Sequence, residues 1–297
     1  MLPDDWQLTE DVDDFLARAG DFLRSRPALH NMQLTELEKL RTCQGGTRGA
    51  EAGVFGRLES EGAVRAIFCR TPRGYLWITP LSAEQAGTLA AHLAGLGHSP
   101  SGVLADHDTA TAFADAWQRH TSAALVPFWR THLYRLGTLT PPQPPAEGRG
   151  RLTGAQDHEQ VVRWCREFCV DVGEQASIDL IDAGSWADSR FGDRHFTFWE
   201  TPDGTPVSMA AATSIVGGMV RVDPVYTPAH LRGRGYAGAV TVEVSRAALA
   251  AGATDVVLFT DPANPTSNAL YQRIGYVRLA DFTGYKFTFG TPEPGHR

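Results

Sequence analysis

The chain has 297 residues, more than an ordinary single domain holds, so two domains are expected. Apolar residues make up 42 % of it, enough for packed cores, and a formal net charge of −7 with no long basic run argues against nucleic acid or an anionic membrane as the main partner. No apolar stretch approaches a membrane span, Met1-Leu2-Pro3-Asp4-Asp5 is no signal peptide, and Cys43, Cys69, Cys165 and Cys169 lack metal-site spacing, so a cytoplasmic protein without a metal is expected.

In chain order, Asp11–Arg24 and Leu34–Leu40 have helical periodicity, and Cys43–Gly53 is Gly-rich loop. Val64–Arg70 and Tyr75–Thr79 read as strands around a Pro72-Arg73-Gly74 turn. Ser82–Leu96 is a helix opened by a capping box, Ser82 with Gln85. A short strand, Gly102–Ala105, leads to a second helix, Asp108–His120, and Phe128–Leu136 alternates as a strand. Gly137–Gly150 contains Pro141, Pro142, Pro144 and Pro145; such a run is extended and reads as a domain linker over 138–149.

The second half opens with a strand at Arg151–Thr153 and an amphipathic helix at Asp157–Val172 with Val161, Trp164, Cys165 and Phe168 inward. Cys165 and Cys169, one helical turn apart, suit a buried helix face. A second helix follows at Ser177–Ser189. Strands are expected at Arg194–Glu200, Pro206–Ile215 and Gly218–Val225, with a hairpin turn at Asp203-Gly204. A helix runs from Gly235 to Ala251 and ends at Gly252. Asp255–Thr260 is a continuous apolar strand of the parallel, central kind. Asn264-Pro265 pairs an N-cap with proline at the first helical position, and that helix stops at Gly275. Val277–Phe282 and Tyr285–Phe289 finish as two strands.

The chemistry concentrates between Met219 and Tyr276. Two glycines in Arg232-Gly233-Arg234-Gly235-Tyr236-Ala237 sit where a strand hands over to a helix. That arrangement gathers unpaired backbone N–H groups and a positive helix dipole, a site for phosphate or diphosphate. Arg232 and Arg234 would add charge-assisted bonds; the plainer alternative is a tight turn with solvated arginines. There is no Gly-Lys-Ser/Thr ending, so a P-loop NTPase is not expected.

The combination of Arg232-x-x-Gly235-x-Ala237 with Asn264-Pro265-Thr266-Ser267-Asn268-Ala269-Leu270-Tyr271 and Ile274-Gly275-Tyr276 resembles the GNAT superfamily of acyl-CoA-dependent N-acetyltransferases. The motifs cover Met219–Tyr276; over the rest of 150–297 only the order of elements corresponds. The resemblance implies a mixed α/β GNAT fold for 150–297, with acetyl-CoA as cosubstrate and an amine acceptor, in a monomer or homodimer. It implies that the pantetheine arm pairs with Val225 and Thr227, that Tyr226 borders the thioester, and that amides from Gly233 to Ala237, Tyr236 included, hold the diphosphate. It assigns Tyr271 the role of general acid to the leaving thiolate, where spacing alone suggests a core tyrosine. Asn268 looks like a cofactor-arm contact or a surface asparagine, and Asn264 a cofactor-side residue most simply explained as an N-cap. Asp223, on the central strand, and Glu174, after the first helix, are candidate bases beside water relays and a purely structural role.

The first half, 1–137, has the same strand and helix order, and Trp77-Ile78-Thr79-Pro80 echoes Val225-Tyr226-Thr227-Pro228. Where the glycines would stand it has Leu81-Ser82-Ala83-Glu84-Gln85. It is either a degenerate repeat that lost its cofactor loop or an unrelated α/β domain, shaping the acceptor site or a subunit contact. Two rivals to amine acetylation stay open, a non-catalytic acyl-CoA sensor and transfer of another acyl group. The acceptor could be a small amine, an antibiotic, a peptide N-terminus or a protein lysine.

Overall fold

The computed structural model describes residues 6–43, 53–70 and 74–289. Met1–Asp5, most of the expected loop after Cys43 (with the Cys43 side chain) and the Pro72-Arg73 part of the first turn lie outside them. The chain forms two compact units, Met1–Leu133 with Leu279–Arg297, and Tyr134–Arg278.

The first succession of elements is β1 (Trp6–Thr9), α1 (Val12–Ser25), α2 (Asn31–Cys43), β2 (Val54–Ser60), β3 (Ala63–Arg70), β4 (Tyr75–Ile78), α3 (Ala83–Gly95), β5 (Gly102–Asp106), α4 (His107–Thr121) and β6 (Ala124–Leu136). The second is β7 (Arg149–Leu152), α5 (His158–Val172), α6 (Gln175–Asp182), β8 (His195–Glu200), β9 (Pro206–Ala212), β10 (Met219–Tyr226), α7 (Tyr236–Ala250), β11 (Asp255–Thr260), α8 (Pro265–Arg273) and β12 (Tyr276–Thr288). Element for element the two successions are the same. Local chemistry sets the helix starts: Asp11 accepts the Asp13 and Asp14 amides, Ser82 and Gln85 close the expected capping box, and Asn264 accepts the Ser267 amide with Pro265 behind it.

Strands run β1-β2-β3-β4-β5-β12-β6 in the first unit and β7-β8-β9-β10-β11-β6-β12 in the second. β4 pairs parallel with β5 and β10 with β11, whereas β2–β3, β8–β9 and β9–β10 are antiparallel. Strands β6 and β12 are each divided between the units, so the boundary differs from the Pro-rich one drawn from sequence. In the first unit Phe68, Ile78, Leu89, Phe113 and Trp117 form the core. In the second, the twofold alternation of strand side chains sends Ala210 to one side, with Val222, Val240 and Leu258, and Met209 and Ala211 to the other, with Trp164, Cys165 and Phe198.

Four expectations change. β1 and β2 were not anticipated, and the second helix of the second half stops at Asp182, followed by a separate 3-10 turn at Trp186–Asp188. The last two expected strands are one, β12, because Gly284, which reads as a turn, pairs with Leu104 of β5. The Pro-rich run is not a free linker: it lies within the second unit, where Gly137 N donates to Gly275 O (2.9 Å) and Thr140 N to Ile274 O (3.0 Å). Gly275 has φ of +101°, and a side chain on it would collide with the Thr138 carbonyl, so only glycine serves there. Among the described residues no helix is long and apolar enough to cross a membrane.

Candidate functional site

β10 and β11 pair at Met219–Asp255, Val220–Val256 and Arg221–Val257, and their register ends there. On its other edge β10 continues along β9 through Val225 and Tyr226, with an irregularity between Val222 and Val225 that contains Asp223 and Pro224. The parallel pair therefore parts midway, and main-chain groups beyond Arg221 and Val257 face an opening. Val225, on β10, and Thr227, just after it, lie beyond the last β10–β11 pair. Thr227 is buried, its hydroxyl 2.8 Å from Ser208 Oγ, and its carbonyl already accepts Arg232 Nε at 2.9 Å.

A 3-10 turn, Ala229–Leu231, leads into the Gly-rich turn. Gly233 has φ of +78° and Gly235 +82°, a backbone that strongly favours glycine. Gly235 is the N-cap of α7 and supplies no side chain to cap it. Among the described residues no hydrogen bond uses the amides of Gly233, Arg234, Gly235, Tyr236 or Ala237. This is the expected cluster of unpaired donors at the positive end of a 15-residue helix. The two arginines differ. Arg234 is exposed and without an ion pair among the described residues. Arg232 is engaged by Asp171 and by the Thr227 carbonyl, with its guanidinium 6.0 Å from the Tyr226 ring.

Tyr226 turns toward α5. Its hydroxyl donates to Glu167 Oε2 at 2.8 Å and its ring lies 6.2 Å from Trp164. Burial and that hydrogen bond push its phenol up from the ordinary value. Tyr271 is buried in the cluster of Val222, Val240, Ile274 and Tyr276, and its hydroxyl has no hydrogen-bond partner among the described residues. Burial, then the neighbouring Tyr276 and the charge of Asp223, push its phenol up, so it stays protonated at neutral pH.

The two asparagines have structural positions. Asn264 caps α8 through Ser267 N at 3.0 Å. The Asn268 carbonyl oxygen accepts Thr260 Oγ1 (2.6 Å) and Tyr134 OH (3.2 Å), and its NH2 donates to the carbonyls of Asp261 (2.9 Å) and Asn264 (2.8 Å). With its amide so occupied, Asn268 fastens β11 to α8 and is not available as a cofactor contact without giving up those bonds.

Asp223 and Glu174 come together through a residue the sequence did not single out. Arg190 donates to Asp223 Oδ2 at 2.7 Å and lies 3.0 Å from Glu174 Oε2, while its guanidinium covers Phe191 at 4.7 Å. Ser177 donates to the other Glu174 oxygen. Arg190 stands in a loop after a 3-10 turn, where no periodicity or motif marks it. Among the described residues no group of three or more His, Cys, Asp or Glu side chains could hold a metal.

Paired β-β-β-α-β-α-β successions, a parallel pair that parts midway and a Gly-rich turn heading the following helix define the GNAT fold. Residues 209–283 match the family model described as FR47-like protein. The similar solved structures include a GCN5-related N-acetyltransferase from Sphaerobacter thermophilus, at 17 % identity and TM-score 0.53, covering 98 % of both chains. They also include an acetyltransferase from the GNAT family from Colwellia psychrerythraea, at 11 % identity and TM-score 0.51, covering 96 % of this chain and 100 % of that one. A tandem GNAT protein from the clavulanic acid biosynthesis pathway aligns at 12 % identity and TM-score 0.53, over 97 % and 100 % of the two chains. At such identities the likeness is one of fold. A search of curated proteins found no significant sequence match.

Proposed function

We propose that the chain is an acetyl-CoA-dependent N-acetyltransferase that passes the acetyl group directly to a primary amine. The observation that carries this reading is the set of unpartnered amides at Gly233–Ala237, placed beside the opening between β10 and β11. An extended thioester arm in that opening would put its diphosphate on those amides. Arg234 would add charge, and Arg232 would stay with Asp171 or exchange it for phosphate. In the transfer step the neutral amine nitrogen attacks the thioester carbonyl, the C–S bond breaks, the departing thiolate takes the Tyr271 phenol proton, and the proton shed by the newly acylated nitrogen returns through water to the Tyr271 phenolate. The proton of the acceptor ammonium leaves beforehand by way of Asp223, Glu174 or water.

One observation favours a second reading, an acyl-CoA-binding sensor without turnover. Both candidate bases are ion-paired to Arg190. Thiol release from acetyl-CoA with a panel of amines separates the two: release supports the transferase, and saturable binding without release on any amine supports the sensor. The site itself is tested by Gly235→Asp. The new carboxylate would stand against the diphosphate in a backbone conformation that side chains rarely adopt. Calorimetry should show coenzyme A binding abolished, and unchanged affinity would refute the assignment of the turn.

A further inference from the structure

Asp223 stands two residues past the last β10–β11 pair, Arg221 with Val257, at the mouth of the opening. Burial is the larger cause of the raised Tyr271 phenol and of the raised Cys165 and Cys169 thiols, and the charge of Asp223 contributes to all three. Asp223 therefore lies between the proposed acid and α5. Arg190 meets it there. The guanidinium lies 4.7 Å from the centre of the Phe191 ring and 5.6 Å from that of Phe168. It gives Nη1 to Asp223 Oδ2 at 2.7 Å and Nη2 to Glu174 Oε2 at 3.0 Å. Its Nε is buried without a partner among the described residues, so the two carboxylates and the rings set its orientation. Buried Ser177 donates to Glu174 Oε1 and holds that carboxylate in place. Arg190, Glu174 and Asp223 are all partly exposed, so a bound molecule can reach them. Neighbouring arginines are engaged as well: Arg194 with Asp193 and Arg232 with Asp171, while Arg221 is buried with a partner of its own.

We propose that Glu174, Arg190 and Asp223 select acceptor amines whose adjacent carbon bears no carboxylate, and so exclude α-amino acids. This rests on the transferase reading given under Proposed function and names the acceptor class for it. An acceptor nitrogen that reaches a thioester in the β10–β11 opening passes Asp223, and a carboxylate on the next carbon is carried to the same place. Arg190 is the cation such a carboxylate would need, and the chain has already paired it twice. Taking Arg190 would mean displacing Glu174 or Asp223 and leaving one carboxylate against another of the same sign. An ammonium meets no such conflict. It approaches two carboxylates that share one guanidinium, an excess of negative charge, before it loses its proton.

The test uses the full chain and pairs of acceptors that differ only by that carboxylate: 2-phenylethylamine with phenylalanine, 3-methylbutylamine with leucine, and methylamine with glycine. Thiol release from acetyl-CoA gives kcat/KM for each. The ratio within a pair is the readout, because a merely damaged enzyme loses both members alike. The wild type should favour the amine over the amino acid by about tenfold or more. Glu174→Gln removes a negative charge and frees one side of Arg190, so the ratio should fall about tenfold, the worth of one hydrogen bond between charged groups. Arg190→Gln leaves the two carboxylates without their cation, so the ratio should rise. Coenzyme A binding by calorimetry shows which variants are folded. A wild type that uses the amino acids as well as the amines, or better, overturns the proposal and leaves the transferase reading standing. An unchanged ratio in folded Glu174→Gln does the same, and where that variant does not fold, a ratio that fails to rise in Arg190→Gln decides against it. A wild type that binds coenzyme A but releases no thiol with these pairs or with any other amine overturns the transferase reading, and this proposal with it.

Discussion

Tyr271 and Asn268 lie one turn apart on α8 and are used in opposite ways. The amide of Asn268 is committed to Thr260, Tyr134, Asp261 and Asn264, whereas the hydroxyl of Tyr271 has no partner among the described residues. The Tyr271 ring is buried while its hydroxyl is not among the sealed polar atoms of the described residues, so the proton stays within reach of a ligand atom. Because burial raises the phenol's pKa, the proton is present across the neutral range and its ionisation should not limit turnover below about pH 10. Tyr271→Phe keeps the ring and removes the proton. With an amine that the wild type acetylates, kcat should fall by about a hundredfold or more, with KM for acetyl-CoA nearly unchanged. Wild-type kcat in the variant would reduce Tyr271 to a packing residue, since the ring would then be all that matters.

At the scale of elements, one arginine joins the edge of the second unit's sheet to the start of α5. Arg151, on β7, holds both oxygens of Asp157 (2.8 and 2.9 Å) and Glu200 of β8 (2.7 Å). Its hydrogen bonds hold the Asp157 carboxyl below the usual carboxylate range. A lowered value in the fold means stabilisation that is present above the unfolded-state value of about 3.9 and lost as pH falls through the folded one. Arg151→Gln should therefore lower stability at pH 7 by about 1–3 kcal/mol, with the difference from wild type shrinking toward pH 3. Urea denaturation at the two pH values measures it; an equal difference at both would show that the ion pair contributes nothing. Such ends and corners vary in how far sequence exposes them. The cap at Asn264-Pro265, the Ser82–Gln85 box and the glycines before α7 are local devices, so their residues announce them. β12 is not local: Gly284 looks like a turn until Leu104 and the rest of β5 are placed beside it. Arg190 is less visible still, because its partners Asp223 and Glu174 lie on other elements and only the fold brings them to it. The Pro-rich run read as a linker for the same reason, since prolines signal an extended chain but not what it lies against.

Across the whole molecule the same succession occurs twice, and the difference between the copies lies in the loop after the fourth strand. In the second, Gly233 and Gly235 leave amides open. In the first, Leu81 N donates to Thr109 Oγ1 (2.8 Å), and Ser82 and Gln85 satisfy each other's backbone amides, so the corresponding helix start is closed by its own side chains. This supports a first unit without a cofactor loop. It does not make that unit separable, because it consists of two stretches of chain, the second being Leu279–Arg297. Within it β12 pairs with β5 from Phe282–Asp106 to Lys286–Gly102, and Phe282 and Phe287 are buried, Phe287 among Phe113 and Trp117. Removing one such phenylalanine typically costs about 3–5 kcal/mol, against about 5–15 kcal/mol for a whole domain. A chain ending at Arg278 loses both, together with the strand between β5 and β6. Its first unit should unfold, seen in hydrogen exchange as lost protection over β2 to β5, where the full chain keeps it. Protection of β2 to β5 at full-chain levels in the truncated protein would show that residues 1–133 hold their own sheet, and that the last strand is an addition rather than a part of it.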